Sequence, residues 1–222
     1  MFGDLIELVR RPLTALQTID SRRRASSGLI ALALSVTLPA IATEIGAFGP
    51  FRPPANLGSL PSLTGQGADI YAHWTYQHRF LLPLYGVVIS LLLWFAAAGL
   101  IHVIARTLGG QGDFLGYLKL VGYVALVGLV ALPVDVIDAL LKLQDNARLE
   151  LSIGQLAGLL GVAIFLWQNL LLVYGARTHY GISTERAVAA VIGPVGGVII
   201  LALVLVILSI VLLVVSQGSL GS

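Results

Sequence analysis

Three acids stand in or beside long apolar stretches of this chain, and they are where chemistry would first be sought: Glu44, Asp135 and Asp138. An ionisable side chain inside a membrane-spanning segment is costly, and it is kept where it binds an ion, relays a proton or pairs with another charge. Asp135 and Asp138 are three residues apart, so a helix places both on one face. If the segments carrying them end on the same side of a bilayer as Glu44, the three acids could form an external cation or proton site. A plainer reading competes with this. Acids near helix ends reach headgroup water, and Lys142 follows Asp138 by four residues, the spacing of a helical ion pair. His102 lies one turn before Arg106 and reads as an interfacial residue rather than a relay.

Other polar groups point to packing. Gln168 and Asn169 follow Trp167 deep in an uncharged stretch, where amides hydrogen-bond across helices. Gly154 and Gly158 form a G-x-x-x-G pair with Gly161 beyond it, and Gly193-Pro194 is followed by Gly196-Gly197. Such small faces let backbones approach closely, within the chain or in a homodimer. Trp74 and Tyr76 lie in an aromatic run with Tyr71, Phe80, His73 and His78. That run suits either a partner-docking patch or an aromatic belt at the headgroups. The five-residue spacing of the two histidines is poor for one helical face, and Asp69 is the only acid close by, so a metal is not expected there.

Enzymatic machinery is hard to assemble from these residues. The chain has no cysteine, which excludes disulfides, thiolate nucleophiles and Fe–S ligation. There is no H-E-x-x-H, no G-x-S-x-G and no P-loop. Gly109-Gly110-Gln111-Gly112 lacks the following Lys-Ser/Thr and reads as an interhelical turn, with Asp113 placed to cap the next helix. No catalytic residue, cofactor or metal is expected. A net charge of +2 also argues against nucleic acid as a partner.

The elements that carry these residues are set by composition. Of the 222 residues 57% are hydrophobic and only 11% charged, with a mean hydropathy of +0.93. Soluble domains carry about 25% charged residues, so the lipid bilayer must be the solvent for most of this chain. The pattern predicts an all-α bundle of five transmembrane helices over residues 25–216. Its spans fall near 25–47, 80–106, 113–141, 151–176 and 187–215. The third is the weakest, since its uncharged core of 15 residues reaches only about 22 Å as a helix. It crosses only if Lys119 snorkels to one interface and Asp135 and Asp138 sit near the other or face protein; a re-entrant segment is the alternative. The last span is longer than the membrane core, so a tilt or a break at Gly193-Pro194 is expected.

Outside the spans, residues 1–24 form a basic segment that is modestly amphipathic around Leu5, Leu8, Val9, Leu13 and Leu16. They read as an interfacial helix on an anionic leaflet or simply as a topogenic flank. The external loop 48–79 is rich in Pro, Gly and Ser in its first half and should lack regular structure there. Residues 217–222 make a short external tail. Nine of the 13 basic residues fall on the side of the N-terminus, which places that end in the cytoplasm and the C-terminus outside. Ala40-Ile41-Ala42 has the form of a signal-peptidase site, but the segment reads as a signal anchor.

Four stretches in this order carry a family likeness: Arg11-Pro12-Leu13-Thr14 before the basic flank; Leu108-Gly109-Gly110-Gln111-Gly112-Asp113-Phe114 with Gly122-Tyr123 and Pro133; Leu166-Trp167; and Tyr180-Gly181-Ile182-Ser183 with Arg186-Ala187. In these the chain resembles the Yip/Yif family of Rab-interacting membrane proteins, and more closely its bacterial relatives. The resemblance implies five spans, a cytoplasmic N-terminus and a role in membrane organisation or trafficking. Eukaryotic members bind prenylated Rab GTPases through a longer N-terminal region. This chain has only about 24 residues there, which argues against a Rab-type partner. The expectation is a scaffold or accessory subunit of the cell (plasma or inner) membrane that packs against other membrane proteins or a second copy. The alternative is a small transporter or channel built on Glu44, Asp135 and Asp138.

Overall fold

The computed structural model describes residues 2–51, 66–144 and 147–194, and among these it is helical with no strand. Two short helices open the chain, α1 (Phe2–Arg10) and α2 (Pro12–Arg22). Pro12 sits in the first turn of α2, where its missing N–H costs nothing and its ring ends α1 one residue earlier. The chain turns extended at Arg23 and Arg24 and enters α3 (Ala25–Gly46). Helix α4 (Gln66–Gln77) leads through a tight turn into α5 (Leu82–Thr107). Then come α6 (Phe114–Ala125), a 3₁₀ segment (Leu126–Ala131) and α7 (Leu132–Leu143), which together make one run. Helix α8 (Ala147–Tyr180) follows, and a last described helix, α9, covers 184–194.

Four helical stretches are long and apolar enough to cross a membrane: Ala25–Gly46, Leu82–Thr107, Phe114–Leu143 and Ser152–Tyr180. They match the first four expected spans. Of the expected fifth, only 187–194 is described; Gly197, the rest of that stretch, the tail and loop residues 52–65 lie outside the described residues. The third span, the weakest by sequence, turns out to be the centre of the bundle. Its most apolar window is 44% buried, against 28% for the first and 11% and 17% for the second and fourth. It gains its length by running continuously from α6 into α7, with Pro133 in the first turn of α7.

The tightest contact in the bundle joins α3 to α6. A Cβ on Gly122 would overlap the carbonyl of Gly28, and one on Gly28 would overlap the backbone of Lys119, 2.7 Å from its carbonyl oxygen. The two helices therefore touch backbone to backbone, as small residues permit in a bundle that cannot use the hydrophobic effect between its helices. The sequence pointed instead to Gly154 and Gly158. A Cβ at either of those, or at Gly161 or Gly193, meets nothing within 4 Å. The expected glycine face of α8 thus makes no packing contact inside the described chain. Those glycines lie in the N-terminal half of α8, which is little buried, whereas Leu171, Val173 and Ala176 are buried nearer its C-terminal end.

The N-terminal helices are part of the core. Leu8, Ala15, Leu16 and Ile19 are fully or almost fully buried and join one cluster with Tyr117, Tyr123 and Val124. Arg23 closes the segment by donating from Nη2 to both carboxylate oxygens of Asp4, at 2.7 and 3.0 Å. Of the apolar stripe, Leu8 and Leu16 therefore meet protein at one end of the bundle, called the basal end below, while Val9 and Leu13 stay exposed. Helix α4 and the Gly46 end of α3 lie at the opposite end. There the second half of the expected loop, from Gln66 onward, is helical.

Candidate functional site

At the basal end the chain assembles a polar cluster from residues far apart in sequence. Asp20 comes from α2, Lys119 from α6, His179 from the last turn of α8 and Asp113 from the turn before α6. Lys119 Nζ donates to the carbonyl of Asp20 at 2.5 Å and lies 3.5 Å from its carboxylate. His179 Nδ1 is 3.0 Å from Asp20 Oδ1, and its Nε2 is 2.9 Å from the carbonyl oxygen of Asp113. Both of these partners can only accept. Both ring nitrogens therefore donate, and this contact pattern calls for the imidazolium. Burial alone would push the Asp20 carboxyl up. The hydrogen bond from His179 and the charges of His179 and Lys119 outweigh it and hold the group below the usual carboxylate range.

The glycines of the 109–112 turn make this cluster possible. Gly109 takes the left-handed conformation at φ +91°, which a side chain would oppose. A Cβ on Gly112 would come within 2.5 Å of the His179 ring, and one on Gly116 would overlap it. The imidazole occupies the space those two residues leave open. Asp113 caps α6 by accepting from Gly116 N–H at 2.8 Å, and this bond lowers its carboxyl below the ordinary value. The turn is clamped from above as well. Gln111 N–H donates to the Tyr180 carbonyl at 3.1 Å, and Arg186 Nη1 donates to the Leu108 carbonyl at 3.0 Å. His102 Nδ1 is 2.8 Å from the Tyr180 hydroxyl. The buried Tyr117 hydroxyl has no hydrogen-bond partner among the described residues.

One correction follows for the sequence reading: Lys119 does not snorkel to an interface; its side chain is 8% exposed because α2 covers it and supplies the acceptor. His102, one turn before Arg106, pairs with the Tyr180 hydroxyl. Asp20 and His179 were missed. The available signal was an acid just before the Arg22-Arg23-Arg24 run and a histidine directly before Tyr180-Gly181, but nothing in their spacing joins residues 159 positions apart.

The acids singled out by sequence divide. Asp135 and Asp138 line a small cleft of about 180 Å³ with Thr43, Gly46 and Lys142, and Glu44 is not among its lining residues. Asp138 Oδ2 accepts from Lys142 Nζ at 2.6 Å, so the plain ion-pair spacing is realised. Glu44 is half-buried at the end of α3. At the same end Trp74 stacks on His78 with ring centroids 4.7 Å apart, and Tyr76 lies edge-on to Phe51 at 5.1 Å.

The amides of α8 also divide. Asn169 bonds back to Phe165 in its own helix at 2.8 Å. Gln168 Nε2 crosses to the carbonyls of Val124 and Ala125 at 3.4 and 3.3 Å, where the backbone changes from α to 3₁₀ pairing and leaves acceptors to be satisfied. Both bonds are long, so Gln168→Leu is expected to cost only about 1 kcal/mol. An unfolding midpoint unchanged in detergent, or lowered as far as by a core cavity, would contradict that assignment.

Two of the four stretches that carried the family likeness therefore meet in space: the 108–114 turn closes on Tyr180 and Arg186. A family model described as the Yip1 domain matches residues 6–208. Comparison with curated proteins and with solved structures gave no match.

Proposed function

We propose that this chain, which belongs to the Yip1 domain family, is a non-enzymatic scaffold or accessory subunit of a multi-pass membrane assembly. In this reading the chain crosses the cell membrane five times, with the basal end in the cytoplasm and the C-terminus outside, in line with its basic-residue bias. The observation that carries the proposal is the uneven burial of the spans. Helices α5 and α8 leave most of their apolar windows unburied, while the third span is nearly half buried. On α8 Gly154, Gly158 and Gly161 are exposed, with no neighbour among the described residues within 4 Å of an added Cβ. That face suits close approach by a helix of another membrane protein or of a second copy.

The polar groups at the basal end support the same reading, because they are engaged with one another. Cluster members that hold α2 under the bundle are structural ties, not a reaction centre. A transporter or channel has less support, since Glu44 does not open into the cleft of Asp135 and Asp138.

The test is a pair of measurements on Gly158→Leu. With nothing within 4 Å of its Cβ, the variant should unfold within about 0.5 kcal/mol of the parent chain. The parent should run in mild detergent as a stoichiometric complex or dimer, and the leucine should release it. A monodisperse monomer in the parent, or an assembly unaffected by Gly158→Leu and Gly154→Leu together, would overturn the proposal.

A further inference from the structure

A groove of about 800 Å³ opens between α3, α4 and α5 at the end of the bundle away from the N-terminal helices. Its mouth and its depth differ in chemistry. Arg79 stands at the mouth with Tyr76 and Lys142, while Val36, Val87 and Trp94 line the depth. From Leu82 to Trp94 the wall formed by α5 runs 12 residues, about 18 Å of helix.

Arg79 is held in one pose. Its Nε donates to the Ala47 carbonyl at 2.9 Å and its Nη1 to the Tyr76 carbonyl at 2.8 Å. The guanidinium carbon lies 4.0 Å from the Tyr76 ring centroid and 4.6 Å from that of Phe80. Nη2 takes part in neither hydrogen bond, and no carboxylate among the described residues pairs with this half-buried charge. A guanidinium fixed in this way and facing a groove is a fork for a phosphate or carboxylate oxygen.

We propose that the groove binds one anionic phospholipid, with its phosphate at Arg79 and an acyl chain lying along α5 toward Trp94. The fixed Arg79 guanidinium selects the charge and the apolar depth selects a lipid. A free inorganic anion would have no use for the 18 Å or so of oily wall below the charge. The Lys142–Asp138 pair at the mouth is already neutral as a unit, which leaves Arg79 as the selecting charge.

Native mass spectrometry can test this on the full chain extracted from bilayers of equal phosphatidylglycerol and phosphatidylcholine. Retention of one phosphatidylglycerol in roughly tenfold preference is expected, the size of a charge-assisted hydrogen bond. Arg79→Gln should keep a bound lipid but lose the preference. Gly86→Phe should lose the lipid itself, because Gly86 lines the groove and a Cβ there meets nothing within 4 Å, so the ring fills the space without displacing protein. Equal retention of the two lipids by the parent chain would overturn the proposal. So would full retention by a folded Gly86→Phe, or displacement of the phosphatidylglycerol by inorganic phosphate.

Discussion

Gly122→Leu is expected to destabilise the bundle by at least about 3 kcal/mol, while Gly99→Leu, one helix away, should leave it within about 0.5 kcal/mol. The two substitutions add the same side chain to apolar helices, so propensity and hydropathy cannot separate them. What separates them is the neighbour. At Gly122 the new Cβ would overlap the Gly28 carbonyl oxygen and lie 2.7 Å from its carbon; at Gly99 nothing among the described residues stands within 4 Å. Overpacking against a flexible side chain can be relieved by a rotamer change. Here the obstacle is backbone in the first turn of α3, and relief requires the helices to part. Parting them also loosens the third span, which Gly28 and Ala31 cover from the α3 side. The measurement is denaturation in mixed micelles followed by tryptophan fluorescence, for which the chain has three native reporters. Equal midpoints for the two variants would show that α3 and α6 do not meet at this point.

The sequence was read correctly where the bilayer alone sets the answer. A run such as Leu82–Thr107 is legible because 26 residues without an acid can do little else than span. Asp113 was legible as a cap because capping is local, decided by the residue and the three that follow it. The errors arose where a partner distant in sequence decides the outcome. Lys119 looked like a snorkelling charge because α2 cannot be placed over it from spacing. The glycines of α8 left packing within the chain and packing in a homodimer both open, because G-x-x-x-G states that a backbone is approachable and not what approaches it; among the described residues nothing does. The contact that does occur, Gly28 with Gly122, joins single glycines on two helices and forms no motif in either. Asp20 and His179 were invisible for the same reason: each is an ordinary residue until the fold brings them within 3.0 Å.

Asp20→Ala should release the N-terminal helices from the bundle. Removing this carboxylate leaves Lys119, 8% exposed, without a carboxylate, and leaves His179, 9% exposed, with only the solvent-exposed Asp113 carboxylate 3.9 Å from its Nε2. Breaking a buried ion pair by deleting one partner costs about 3 to 5 kcal/mol, because the remaining charge stays desolvated. The partial exposure of Asp20, 23%, puts the expectation at the lower end of that range. Part of the loss should be local. Leu8, Leu16 and Ile19 are held at the core by the same tie, so amide exchange should rise across residues 2–22 while α5 stays protected. Acid should reproduce the effect in the unmodified chain. The folded Asp20 carboxyl sits below its ordinary value, so the stability it contributes is present above that value. It disappears as pH falls through the folded one, and protection of residues 2–22 should drop in the range below about pH 4. His179→Gln separates the charge from the geometry. A glutamine amide can donate to the Asp113 carbonyl or to Asp20, but it carries no charge. The variant should keep some docking near neutral pH and lose protection at a higher pH than the parent chain, since the group that holds the Asp20 carboxyl down is gone. An exchange profile for Asp20→Ala identical to the parent's would mean that the apolar contacts alone hold the N-terminal helices in place.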